Sequence, residues 1–192
     1  MDEFIEKISK VDMGEVFAKK SMQEGVKKYA KLTSGFWNTN VATDREFQKL
    51  FNGFYRVQRR NEEWYKAYYA LMEKGKTQTF NFEKTLGFLY EETGRVEASF
   101  VSKLLHTLNN DMPIWDAFVL KNLEKKKPYG TGEKKIEKCV SVYDEIVAWY
   151  KIALASDEIE RKIMEFDKAF PEYTGFSKTK KLDFMLWQMR TE

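Results

Sequence analysis

The sequence predicts an all-α fold, a compact multi-helix globular domain, and three observations carry that expectation. Strong breakers are scarce, with 3 Pro and 10 Gly in 192 residues, so long segments run uninterrupted. Apolar residues recur at steps of three and four along most of the chain, which is the helical period. Thr, Asp and Asn stand before several of these segments, where a side-chain oxygen can accept first-turn amides. At least eight helices, almost no strand and a single domain over residues 1–192 are expected.

The elements follow in order. A short arm bearing Phe4, Ile5 and Ile8 precedes a first long helix from about Asp12 to Leu32, and residues 33–42 form a loop with Ser34, Gly35, Asn38 and Asn40 as turn formers. Thr43-Asp44-Arg45-Glu46 has the form of a capping box, with Thr43 as the cap of a helix carrying Phe47, Leu50, Phe51, Phe54 and Tyr55. Asn61 opens the next helix, with Trp64, Tyr65, Tyr68, Tyr69 and Leu71, and Gly75 stops it. Asn81 caps a helix that Thr93-Gly94 ends, another runs from about Val96 to Leu108, and a helix starts near Asp116 after the Pro113 turn. Around Pro128-Tyr129-Gly130-Thr131-Gly132 a Lys-rich connection leads into an amphipathic helix with Ile136, Val140, Tyr143, Val147, Tyr150 and Leu154 on one face. Two further helices, about 157–170 and 178–190, finish the pattern.

Composition bounds the function. Hydrophobic residues at 43% supply a sizeable core, and aromatics at 16% imply either a ring-built core or a surface that stacks on a partner. Net charge is only +3, yet Lys121, Lys125, Lys126, Lys127, Lys134, Lys135 and Lys138 crowd one stretch. Lys178, Lys180 and Lys181 form a second cluster near the C-terminus. Such patches suit phosphate, although a solvated helix surface has the same composition. The one cysteine, Cys139, allows no internal disulfide, which fits a cytoplasmic location. The charged start (Asp2, Glu3, Glu6, Lys7) is unlike a secretory signal, and no apolar run of about 18 residues is present to span a membrane.

Motif searches for phosphate-binding Gly loops, metal-ligand spacings and nucleophile elbows return nothing, so neither a metal nor a cofactor is expected. His106 lies among Val101, Leu104, Leu105 and Leu108 and reads as a satisfied core histidine. One segment stands apart. Glu92-Thr93-Gly94-Arg95-Val96-Glu97-Ala98 reads as helix, tight glycine turn and helix, and Met112-Pro113-Ile114-Trp115-Asp116-Ala117-Phe118-Val119 delivers one carboxylate to a helix start. Asp116 lies 22 residues after Gly94.

Residues 91–123 resemble the core of the helix-hairpin-helix DNA glycosylase superfamily. Gly94, Arg95 and Ala98 match its hairpin, and Asp116 with Val119 matches its catalytic aspartate and the aliphatic residue one turn on. The resemblance implies a glycosylase-like all-α fold, DNA as partner, and hydrolysis of the N-glycosidic bond of a modified base. Asp116 would stabilise the positive charge that develops on the sugar, and the base, turned out of the stack, would need a ring-lined pocket. Tyr90, Phe100, Trp115 and Phe118 are the pocket candidates. Gly94, Arg95, Lys125, Lys126, Lys127, Lys134 and Lys135 are those for the DNA backbone. The chain also departs from the family pattern. Only Gly94 remains of its hairpin glycines, and Glu91-Glu92 would repel phosphate. Val96 replaces the lysine of bifunctional members, so any activity would be monofunctional, unless Lys103 serves as a displaced amine. The cysteines of an iron–sulfur cluster are missing.

Each of these residues also has a plainer reading. Asp116 serves equally as a simple N-cap, Gly94 as a helix stop and the aromatics as core; Arg59-Arg60, which could grip phosphate, reads equally as an exposed helix junction. The alternative function is a non-enzymatic helical module that binds a protein or nucleic-acid partner, possibly a family member that has lost catalysis.

Overall fold

The structure is a computed structural model and describes residues 2–189. Every regular element among them is helical: α1 (Glu3–Ser9), α2 (Met13–Ala18), α3 (Lys20–Phe36), α4 (Arg45–Tyr55), α5 (Glu62–Lys74), α6 (Phe82–Thr93), α7 (Ala98–Leu108), α8 (Ala117–Asn122), α9 (Gly132–Leu154), α10 (Asp157–Ala169) and α11 (Lys178–Gln188), with one 3-10 turn at Pro171–Tyr173. No helix in this part of the chain is long and apolar enough to cross a membrane. The side chains of Asp2, Asp12, Asp44, Asn61, Asn81, Asp116, Ser156 and Ser177 each accept an amide of the helix they precede.

Three boundaries differ from the sequence reading. The first long helix breaks at Lys19, whose backbone is extended (φ −59°, ψ 129°). The break lets Phe17 pack edge-on against Phe166 and Phe170, while Met22 and Val26 turn into the centre. Helix α3 then runs on to Phe36, through Ser34 and Gly35. The cap of α4 is Asp44 rather than Thr43: its carboxylate accepts the Phe47 amide at 2.9 Å and the Thr39 hydroxyl at 2.6 Å. The Thr39 bond, followed by the Phe47 amide, holds this half-buried carboxyl below its ordinary value. Arg190, placed in the last helix by the sequence, lies outside the described residues.

Helix α11 occupies the centre. It packs on α2, α3, α8, α9 and α10, and every residue from Thr179 to Leu186 is buried. Two lysines that the sequence reading placed in a basic surface cluster, Lys180 and Lys181, are therefore carried inside, and neither is open to phosphate. Lys181 donates to the Thr174 carbonyl at 2.8 Å and pairs with Asp167 at 2.6 Å. Lys180 donates to Asp183 at 2.6 Å, and its ammonium lies 4.6 Å from the ring centres of Tyr29 and Phe184, 5.2 Å from Phe54 and 5.5 Å from Tyr55. Ring faces and a carboxylate replace the water that the charge has lost. Burial still lowers the Lys180 pKa, and Asp183 opposes that shift.

Burial, with the same charge nearby, sets the state of His106. Its Nδ1 lies 2.7 Å from the Met112 carbonyl, which can only accept, so Nδ1 carries the proton. Nε2 then accepts from the Tyr29 hydroxyl at 3.2 Å. Burial, reinforced by Lys180, pushes the pKa of His106 from 6.5 down to about 3. The unfolded chain thus takes up a proton below pH 6.5 that the folded chain refuses until about pH 3, and stability falls as pH drops through that window. This one group is expected to cost roughly 3 kcal/mol at pH 4 relative to pH 7. Urea titrations at both pH values test it: His106→Gln should flatten the pH dependence by that amount, and an unchanged slope would remove His106 as its source.

Candidate functional site

The segment between α7 and α8 is fixed by serines and one tyrosine. The Trp115 amide donates to Ser102 Oγ at 2.9 Å, Ser99 Oγ donates to the Trp115 carbonyl at 3.1 Å, and the Tyr143 hydroxyl donates to the Pro113 carbonyl at 2.9 Å. Phe82 stacks on Tyr143 with ring centres 3.9 Å apart and lies parallel to Trp115. These contacts bring the start of α8 beside the start of α7. They also give Ser99 and Ser102 a role that the motif search could not see.

The hairpin before α7 turns on Gly94, which closes α6 in the left-handed region (φ 67°, ψ 13°) and donates its amide to the Tyr90 carbonyl at 2.7 Å. Glu97 then takes the N-cap position of α7 but makes no side-chain bond to the α7 amides. Thr131, which opens the 23-residue α9, likewise makes none. Gly132 beside it has φ 63°, and a Cβ there would sit 3.5 Å from the Tyr90 hydroxyl.

These two helix starts open into one cleft of about 760 Å³. Its rim and walls carry Arg60, Arg95, Lys121, Lys125, Lys127 and Lys135 against a single acid, Glu97. Tyr90, Val96, Ala98, Trp115, Leu120, Pro128 and Cys139 supply the apolar surface. Lys125 is tied to Glu145, and Arg60 and Arg95 face Glu97. Lys121, Lys127 and Lys135 have no carboxylate partner among the described residues. Burial raises the Cys139 thiol, with Lys135 and Lys127 pulling it back.

The sequence-derived site residues thus separate into groups. Gly94, Arg95, Lys125, Lys127, Lys135, Tyr90 and Trp115 meet at the cleft. Lys126 and Lys134 are exposed and lie outside its lining. Phe100 lies beneath Arg60 and Lys103, at 5.1 Å and 5.2 Å, with its edge to Trp64. Phe118 packs edge-on against Phe4. Asp116 caps α8, accepting the Phe118 amide at 2.8 Å. Its neighbours Trp115 and Ala117 line the cleft, but Asp116 itself does not. Its charge is felt on the inner side instead. The phenol of Tyr150 is pushed up by burial first, then by Asp183 and Asp116. Arg60 is no exposed junction: its side chain is 17% exposed and held between Glu97 and aromatic rings. Lys121, part of the lysine-rich stretch, also lines the cleft; sequence reasoning missed Glu97 and Cys139, since only the folding of α6–α9 gathers them. No group of three His, Cys, Asp or Glu among the described residues is placed to hold a metal ion.

Comparison with family models, with curated proteins and with solved structures finds no match to this chain.

The hairpin turn can be tested directly. An added Cβ at Gly94 meets nothing within 4 Å, so its cost is purely conformational. Gly94→Ala should therefore lose about 1 kcal/mol of stability, and Gly94→Asn less, because Asn tolerates the left-handed region. Equal stability of Gly94→Ala and wild type in urea would show that the turn does not hold this geometry.

Proposed function

We propose that this chain binds nucleic acid through the cleft, with DNA as the partner that the hairpin resemblance implies. One observation carries the reading: six cationic side chains face a single acid around a cleft that also offers tyrosine and tryptophan surface. Phosphates supply what the lysines lack, and an unstacked base suits the ring-bearing wall. The sequence argument drew on Lys125–Lys127 and Lys134–Lys135 together. The cleft geometry favours Lys121, Lys127 and Lys135, because Lys126 and Lys134 point elsewhere.

If each of those three meets a phosphate, the log–log salt slope of binding should be about −3, and Lys127→Ala or Lys135→Ala should each shrink it by about 1. Lys126→Ala and Lys134→Ala should leave it nearly unchanged. Fluorescence anisotropy with a labelled DNA duplex across a salt series measures all five proteins. Absent or salt-independent binding would overturn the reading and favour a protein-binding helical module.

A second reading adds chemistry; it rests on the Gly94–Asp116 spacing of the resemblance, for Asp116 itself lies outside the cleft lining. In this reading the protein excises a modified base, with the Asp116 carboxylate stabilising the sugar cation, and it does so monofunctionally because Val96 offers no amine. Asp116→Asn keeps shape and capping while removing charge. Melting and DNA affinity should hold while base release falls by roughly 10²-fold or more. Borohydride should trap no covalent adduct. Base release equal to wild type would remove Asp116 from any mechanism, and strong trapping would contradict the monofunctional assignment.

A further inference from the structure

Arg60 stands just before the Asn61 cap of α5, far in sequence from the hairpin, yet its guanidinium reaches the hairpin's C-terminal side. It lies 5.1 Å from the ring centre of Phe100 and 5.8 Å from that of Trp64, and it pairs with Glu97 at 2.6 Å. Arg95, from the turn itself, approaches the same carboxylate oxygen at 3.9 Å. Arg60 and Arg95 line the main cleft, and both also line a smaller cavity of about 230 Å³ behind the hairpin, which adds Arg59 and the acids Glu63 and Glu92. Two guanidinium groups from separate parts of the chain therefore converge on one oxyanion, where the two cavities meet.

Glu97 is the only acid in the lining of the main cleft. It holds the N-cap position of α7 without capping it, so its carboxylate serves the arginines and not the helix. A guanidinium fork accepts a phosphodiester in the same planar geometry as a carboxylate. We propose that Arg60 and Arg95 form a seat for one backbone phosphate of the nucleic acid, and that Glu97 fills this seat in the free protein as an internal competitor. The inference rests on the cleft being the nucleic-acid site. On binding, the phosphate takes over the two arginines and the Glu97 carboxylate turns back towards the start of α7, where first-turn amides and the helix dipole favour an acid. Exchanging one oxyanion for another leaves the arginines paired in both states, which keeps the affinity of the wild type low and makes Glu97 the residue that sets it.

The test measures affinity for a labelled DNA duplex in wild type, Glu97→Gln, Arg95→Ala and the double variant, with melting temperatures taken alongside. Glutamine keeps the size and one acceptor of Glu97 but does not compete as an anion. Glu97→Gln should bind roughly tenfold tighter, with a salt slope steeper by about 0.9. Most of that gain should vanish in the Arg95→Ala background, because the two groups share one seat. Glu91→Gln, which removes an exposed hairpin charge outside the cleft lining, controls for general repulsion and should gain far less. Equal or weaker binding by folded Glu97→Gln, or a gain matched by Glu91→Gln, would overturn the proposal. A Glu97→Gln protein that melts much lower would do the same, because Glu97 would then be a structural anchor. Lys127→Glu separates this inference from the reading beneath it. Loss of binding in Lys127→Glu with no gain in Glu97→Gln sinks the seat alone. Binding that Lys127→Glu leaves untouched sinks the cleft, and the seat with it.

Discussion

The arrangement of this molecule depends on one constraint, the burial of the Lys180 ammonium inside a helical core. A charge in that position must be given partners, and the surrounding helices supply them. Tyr29 comes from α3, Phe54 and Tyr55 from α4, and Phe184 and Asp183 from α11 itself. Burial, reinforced by the same charge, keeps His106 neutral; the Met112 carbonyl fixes its tautomer, and the ring ties α7 to α3 through Tyr29 and to the Pro113 turn through Met112. A buried ion pair adds little net stability compared with an apolar replacement, but breaking it by removing one partner is costly. Its effect here is to hold α3 and α4 against the central helix, with α7 joined through Tyr29.

Helix α7 carries that register outward. One end holds His106 in the charged core, and the other presents Ser99 and Ser102 to the Trp115 backbone. The hairpin, the start of α8 and the Lys-rich entry to α9 are thereby held around one opening. The cleft's charge imbalance follows from which side chains find partners. Glu145, outside the lining, is tied to Lys125, and Glu97 is the one carboxylate in the lining.

Much of the fold was legible in the sequence, because helix period, caps and breakers are local properties. Asn61, Asn81, Gly94 and Asp116 do what their residue types suggest, and His106 is the satisfied core histidine that its apolar neighbours implied. The local signals failed where tertiary packing decided: the extended Lys19, the continuation of α3 through Ser34 and Gly35, and the choice of Asp44 over Thr43. The hairpin segment and the lysine run could each be marked from sequence as sites of interest. Their meeting in one cleft could not, and neither could the pairing of Arg60 with Glu97 or the departure of Phe100 and Phe118 to other contacts. Such pairings depend on long-range geometry and leave no periodic trace.

The central claim is that nucleic-acid phosphates enter between the starts of α7 and α9. Amide chemical-shift mapping of the isotope-labelled protein, titrated with a short DNA duplex, tests it most directly. The account predicts that the largest changes fall on residues 94–99 and 127–135, with the α2 and α10 surfaces unaffected. Changes concentrated on those outer helices, with a silent hairpin and α9 start, would contradict it.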